Sequence, residues 1–140
     1  MTSPYVTPIV QADHGPQATP ATTETCTLGE VQFDALVSEV TSIPAGALAA
    51  SDSAYRTFTL VNKGGDALAN RVIATLVTNV AGGSWVAADE KKWVLSTNPV
   101  DLHVTANDVL VCQETVTGGG VAHPQMQITV KGERDQGGVV

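Results

Sequence analysis

The chain has 140 residues, of which 43% are apolar and only 15% charged, and it carries a net charge of −7. That length accommodates one domain with a core of its own plus an appended segment. The acidic balance argues against a surface that wraps nucleic acid or lies on an anionic membrane, and no run approaches the roughly 20 apolar residues of a membrane-spanning helix.

The first residues, MTSPYVTPIVQADHGP, lack the basic and continuous apolar regions of a secretion signal, so folding in a cytoplasm is expected. Pro4, Pro8, Pro16 and Pro20 interrupt any helix or central strand. Residues 1–29 therefore read as an extended N-terminal arm with four apolar contact residues, Tyr5, Val6, Ile9 and Val10. Two readings of the arm stay open: a terminus without fixed structure, or a segment that orders against a partner or a neighbouring subunit. On the second, removal of residues 1–20 leaves the rest folded and costs only the partner contact.

From Glu30 the period becomes two, with Val31, Phe33, Ala35 and Val37 on one face, until Ile43 and Pro44 end the strand. An alanine-rich connection over residues 45–53 leads to a second strand at 55–62, YRTFTLVN. A Lys63-Gly64-Gly65-Asp66 turn and a third strand at 71–78, RVIATLVT, follow. Short strands are expected at 85–88, 92–96 and 102–105. The long one comes at 108–116, where Val109 to Cys112 are apolar on both faces, the pattern of a strand covered on both sides. Gln113 and Glu114 then mark its emergence at a rim, with Asn107-Asp108 as the corner before it. After the Gly118-Gly119-Gly120 loop and Pro124, residues 125–131 form a last strand with Met126, Ile128 and Val130 inward.

About eight short strands separated by turn signals predict an all-β fold, a single jelly-roll-like β-sandwich. The expected divisions are the arm at 1–29, the sandwich at 30–132 and a C-terminal tail at 133–140.

Candidate chemistry is sparse. Cys26 and Cys112 are too few for a disulfide framework; one bridge between them is conceivable, but two reduced thiols is the preferred reading. His14, His103 and His123 show none of the i, i+2 or i, i+4 spacing of a metal site. Asp89-Glu90 reads as a solvated corner, and Asn62, Asp66, Asn107 and Asp108 lack the alternating spacing of a calcium loop. No catalytic, cofactor-binding or metal-binding residue is assigned, and no enzyme activity is expected. Trp85 and Trp93 are candidate interface anchors or, alternatively, a sugar-stacking platform.

The stretches LVNKG (60–64), DEKKWVLS (89–96), VTANDVL (104–110) and GGGVAHP (118–124) resemble a pattern in small structural proteins of tailed bacteriophages. Together with the size, acidity and arm, they make the chain similar to capsid decoration, or cement, proteins. That resemblance covers about half the chain and implies a non-enzymatic virion protein without cofactor. Made in the host cytoplasm, it would sit on the capsid exterior and bridge neighbouring major capsid proteins. Its partners would be the major capsid protein and itself, as a symmetric dimer or trimer, with no nucleic acid and no membrane. The alternative function is a glycan- or receptor-binding β-sandwich.

Overall fold

Period-two apolar runs punctuated by Gly, Pro and Asx turns leave, among the described residues, one helix of four residues. The computed structural model, which describes residues 6–66 and 69–134, is built almost wholly of strands. In chain order these are β1 (Val6–His14), β2 (Cys26–Glu30), β3 (Ala35–Pro44), β4 (Tyr55–Asn62), β5 (Arg71–Val77), β6 (Lys91–Lys92) and β7 (Val94–Leu95). One helical turn, α1 (Pro99–Leu102), precedes β8 (His103–Val104), β9 (Val109–Thr117) and β10 (Met126–Arg134).

The strands form two antiparallel sheets around one apolar core, a β-sandwich. The first sheet runs β1-β10-β3-β6, with β8 also paired to β3; the second runs β2-β9-β4-β5-β7. The chain changes sheet at every connection except the β4–β5 hairpin. As a result the two last strands insert between earlier ones, β10 between β1 and β3 and β9 between β2 and β4.

The expected elements are in place only in part. The strand expected from Glu30 begins at Ala35, Glu30 itself ends β2, and the strand expected at 92–96 is divided between β6 and β7 in different sheets. β4 has the expected bounds, and Met126, Ile128 and Val130 of β10 are at most 1% exposed. Each such side chain contributes roughly 1.5–3 kcal/mol by leaving water. The Asn107-Asp108 corner is held tightly. Asn107 takes a left-handed φ of 79°, which Asn tolerates, and the Asp108 carboxylate accepts from Thr105 N and Asn62 Nδ2, both at 2.9 Å. Residues 102–105 differ from expectation. Asn98 Oδ1 accepts from Val100 N at 3.1 Å and Pro99 follows it, so a capped helical turn takes up Leu102 and leaves two residues for β8. The strand expected at 85–88 is a single bridge between Trp85 and Leu48.

The expected arm is a larger correction. Of residues 1–29, Val6–His14 pair with β10 along its length; β2, all of which except its last residue, Glu30, falls in the same span, pairs with β9. Ile9 and Val10, expected as partner contacts, are 7% and 8% exposed and belong to the core; Val6 is half-buried in β1 opposite Glu133. Tyr5 lies outside the described residues. Pro8 does not prevent this, because β1 is an edge strand and its register shifts between Pro8 and Val10, so the missing N–H interrupts no inner ladder. At the other end, β10 runs on to Arg134 and takes in the first two residues of the expected tail. The Arg134 guanidinium lies 4.7 Å from the centre of the Phe33 ring.

Candidate functional site

Strand periodicity places charged side chains inside the sandwich. On β4, Arg56 lies in the same inward row as Phe58 and Leu60; on β9, Glu114 continues the row of Leu110 and Cys112, and all six residues are buried. Glu114 is the register partner of Phe58, so Arg56, two residues along β4, is its diagonal neighbour across the pair. On β1 the row of Val10 and Ala12 ends at His14. His123 is brought in by the loop between β9 and β10, which exchanges two backbone hydrogen bonds of 3.0 Å between His123 and Gln17.

These four side chains meet at one end of the sandwich. Arg56 Nη1 donates to Glu114 Oε1 at 3.0 Å, with both side chains completely removed from solvent. His123 Nε2 lies 3.1 Å from Oε1 and His14 Nε2 lies 3.6 Å from Oε2. The Glu24 amide donates to Oε2 at 2.9 Å. Phe58 packs edge to face against both imidazoles, at 5.7 Å from His14 and 5.1 Å from His123. The rest of the guanidinium is spent on main-chain carbonyls: Nε on Val121, Nη1 on Thr22, and Nη2 on Thr19 and Pro20. This explains how residues 15–25, which contain no strand, lie fixed on the molecule. Their carbonyls have a buried, charge-assisted donor.

The protonation pattern follows from the partners. His14 Nδ1 faces the Gly15 carbonyl at 3.0 Å and His123 Nδ1 faces the Pro124 carbonyl at 2.8 Å. A carbonyl only accepts, so both Nδ1 atoms carry hydrogen and, in a neutral ring, both Nε2 atoms present a lone pair. Neither Nε2 makes a well-formed hydrogen bond, and both are buried. Burial holds the His14 imidazole below its ordinary pKa of 6.5, against the opposing pull of the Gly15 carbonyl and the Glu114 charge. Burial alone would raise the Glu114 carboxyl, but the contact with His123 and the Glu24 amide outweigh it and hold the group below 4.5. His14, Glu114 and His123 each offer one ligand atom, and these atoms lie within 4.8 Å of one another.

The aromatic candidates are elsewhere. Trp85 and Trp93 are 2% and 5% exposed and pack beside Phe58, with Trp93 Nε1 donating to Ser42 Oγ at 3.0 Å. Neither presents a ring face on which a sugar could stack. His103 is exposed on β8, and Asp89 and Glu90 are exposed on their turn. Cys26 and Cys112 sit directly opposite one another in the β2–β9 pair, both as free thiols. A groove of about 440 Å³ at the β5–β7 edge is lined by Thr75, Val77, Lys92 and the 72% exposed Val94, among others, with no carboxylate, thiol or imidazole in its lining.

Sequence spacing hid the buried cluster because its members are 42, 58 and 9 positions apart along the chain, from His14 through Arg56 and Glu114 to His123. A signal was nevertheless present. Arg56 falls on the same parity as Phe58 and Leu60, and Glu114 on that of Leu110 and Cys112, so each strand carries one charge in its apolar row.

No protein-family model and no curated protein sequence matches the chain. Among solved structures, a chain in the structure of infectious bursal disease virus, Gx strain, is similar to it, with a TM-score of 0.33 and 10% identity over 95% of this chain. The present chain covers 37% of that neighbour's length.

Proposed function

We propose that this protein is a non-enzymatic structural component of a virion, a capsid decoration protein that binds the outer surface of a phage head and bridges neighbouring major capsid proteins. The observation that carries the reading is the interleaved strand order. Leaving aside the two-residue strands β7 and β8, we read the order β1-β10-β3-β6 in one sheet and β2-β9-β4-β5 in the other as jelly-roll winding, an architecture used for viral shells as well as for lectins. The phage-like motifs over residues 60–64, 89–96, 104–110 and 118–124 add to it. Fold alone does not assign function, but the distribution of chemistry points the same way. The cluster of Arg56, Glu114, His14 and His123 is sealed inside, and the β5–β7 groove is lined by apolar side chains with Thr75, Asn79 and Lys92, without a carboxylate, thiol or imidazole.

A decoration protein engages a repeating lattice, so a modest patch suffices when symmetric copies, as a dimer or trimer, bind together. The net charge of −7 suits an exterior position away from packaged nucleic acid. The glycan-binding alternative loses its main support with both indoles in the core. Cryo-electron microscopy of the native particle tests the proposal. Ordered copies over the junctions between capsid subunits are expected; density confined to the tail, or absence from the particle, would overturn it.

A further inference from the structure

We propose that His14, Glu114 and His123 form a buried structural site for one divalent transition-metal ion of the zinc class. The argument starts from the two Nε2 atoms. Both are buried, both lack a well-formed hydrogen bond, and in the neutral rings both turn a lone pair toward the same carboxylate. Lone pair against anion is repulsive, and a buried acceptor without a donor is costly. A single proton shared between His123 Nε2 and Oε1 answers only half of this, since His14 Nε2 still faces Oε2 at 3.6 Å. One cation lying between the three groups answers all of it.

The donor set is right for such an ion. Two imidazole nitrogens with one carboxylate suit zinc among the divalent metals. The two carboxylate oxygens, each facing one imidazole, bring the number of donor atoms to four, in a distorted four-coordinate geometry because the oxygens of one carboxylate lie closer together than two tetrahedral vertices. The imidazole-to-oxygen contacts of 3.1 and 3.6 Å are close to the roughly 3.3–3.6 Å between neighbouring ligands that bonds of about 2.0–2.2 Å give around a tetrahedral ion. The surroundings are also those of a metal site. Each Nδ1–H is fixed on a backbone carbonyl, which locks the tautomer and ring orientation that leave Nε2 free to ligate. The carboxylate is positioned in turn by Arg56 Nη1 and the Glu24 amide.

Arg56 is a neighbouring cation that opposes binding. Its charge is shared among the carbonyls of Thr19, Pro20, Thr22 and Val121 as well as Glu114, so the carboxylate is not consumed by it. The ion would join β1 of the first sheet, β9 of the second and the β9–β10 loop. Its role would be to clamp the sandwich shut at that end, with loading coupled to folding because the site is closed.

The test uses the whole chain refolded with excess Zn²⁺ or Co²⁺ and then dialysed. One equivalent per chain by elemental analysis is expected, with visible absorption of a four-coordinate site for Co²⁺ and a thermal midpoint that falls when a strong chelator is present during refolding. His14→Gln and His123→Gln should weaken binding by more than the roughly 10–100-fold that loss of an outer-shell partner costs, while His103→Gln, on the exposed β8, should retain the ion. A refolded wild-type chain that holds far less than one equivalent, with its midpoint unmoved by metal or chelator, would overturn the proposal. So would full occupancy in the His14→Gln/His123→Gln double variant.

Discussion

Arg56 and Glu114 form an ion pair 3.0 Å long from which solvent is wholly excluded, and the two come from adjacent strands on the core face of the second sheet. A buried pair of this kind adds little net stability over well-packed apolar residues, because removing two charges from water is expensive. Breaking it is a different matter. Arg56→Met leaves Glu114 uncompensated and strips the donor from four backbone carbonyls, and Glu114→Gln leaves the guanidinium without its counter-charge. Each should lower the unfolding free energy by about 3–5 kcal/mol in urea titrations. The Arg56→Met/Glu114→Leu double variant should recover part of that loss. Single variants within experimental error of the wild type would show that the pair is not buried in solution.

The same guanidinium makes the N-terminal segment part of the domain. Deleting residues 1–20 removes β1, opens the edge of β10 and takes away His14 and the Thr19 and Pro20 carbonyls. The truncated chain should lose cooperative unfolding, followed by circular dichroism against urea. A truncation that keeps the full-length midpoint would restore the reading of this segment as a dispensable arm.

Acid should destabilise the metal-free protein in two stages. His14 is held below 6.5, mainly by burial, so below that pH the unfolded chain binds a proton that the folded chain resists, and stability falls as pH drops from about 6.5 towards the lowered value. Glu114 is held below 4.5, so its contribution is intact above 4.5 and is lost as pH falls through its own lower value. His14→Gln should remove the first stage and leave the second, as read from urea midpoints between pH 7 and 3. A midpoint in the wild type that stays constant from pH 7 to 5 would contradict the first stage.

The two thiols should separate kinetically. Burial, then the nearby Glu114 charge, pushes Cys112 far above the ordinary thiol range, while Cys26 is raised less and is partly exposed. A thiol reagent at pH 8 should label Cys26 slowly and Cys112 only after denaturation. Equal rates at both positions in the folded chain would be inconsistent with Cys112 fully buried on β9.

Much of this molecule is determined locally. The alternation in YRTFTLVN and MQITVK, the Gly-rich turns and the Asn107-Asp108 corner specify strands and their inward faces wherever they occur, because side chains on a strand alternate regardless of what lies opposite. Local pattern therefore sufficed for the β-sandwich and for β4, β9 and β10. It failed at β1 and at residue 114 for one reason: both depend on what faces them. Pro8 excludes a central strand but not an edge, and only the pairing with β10 shows β1 to be an edge. Glu114 reads as a rim residue until Arg56, His14 and His123 arrive from 58, 100 and 9 positions away and compensate its charge. Burial of a charge is a property of its partners, and those are supplied by tertiary structure alone.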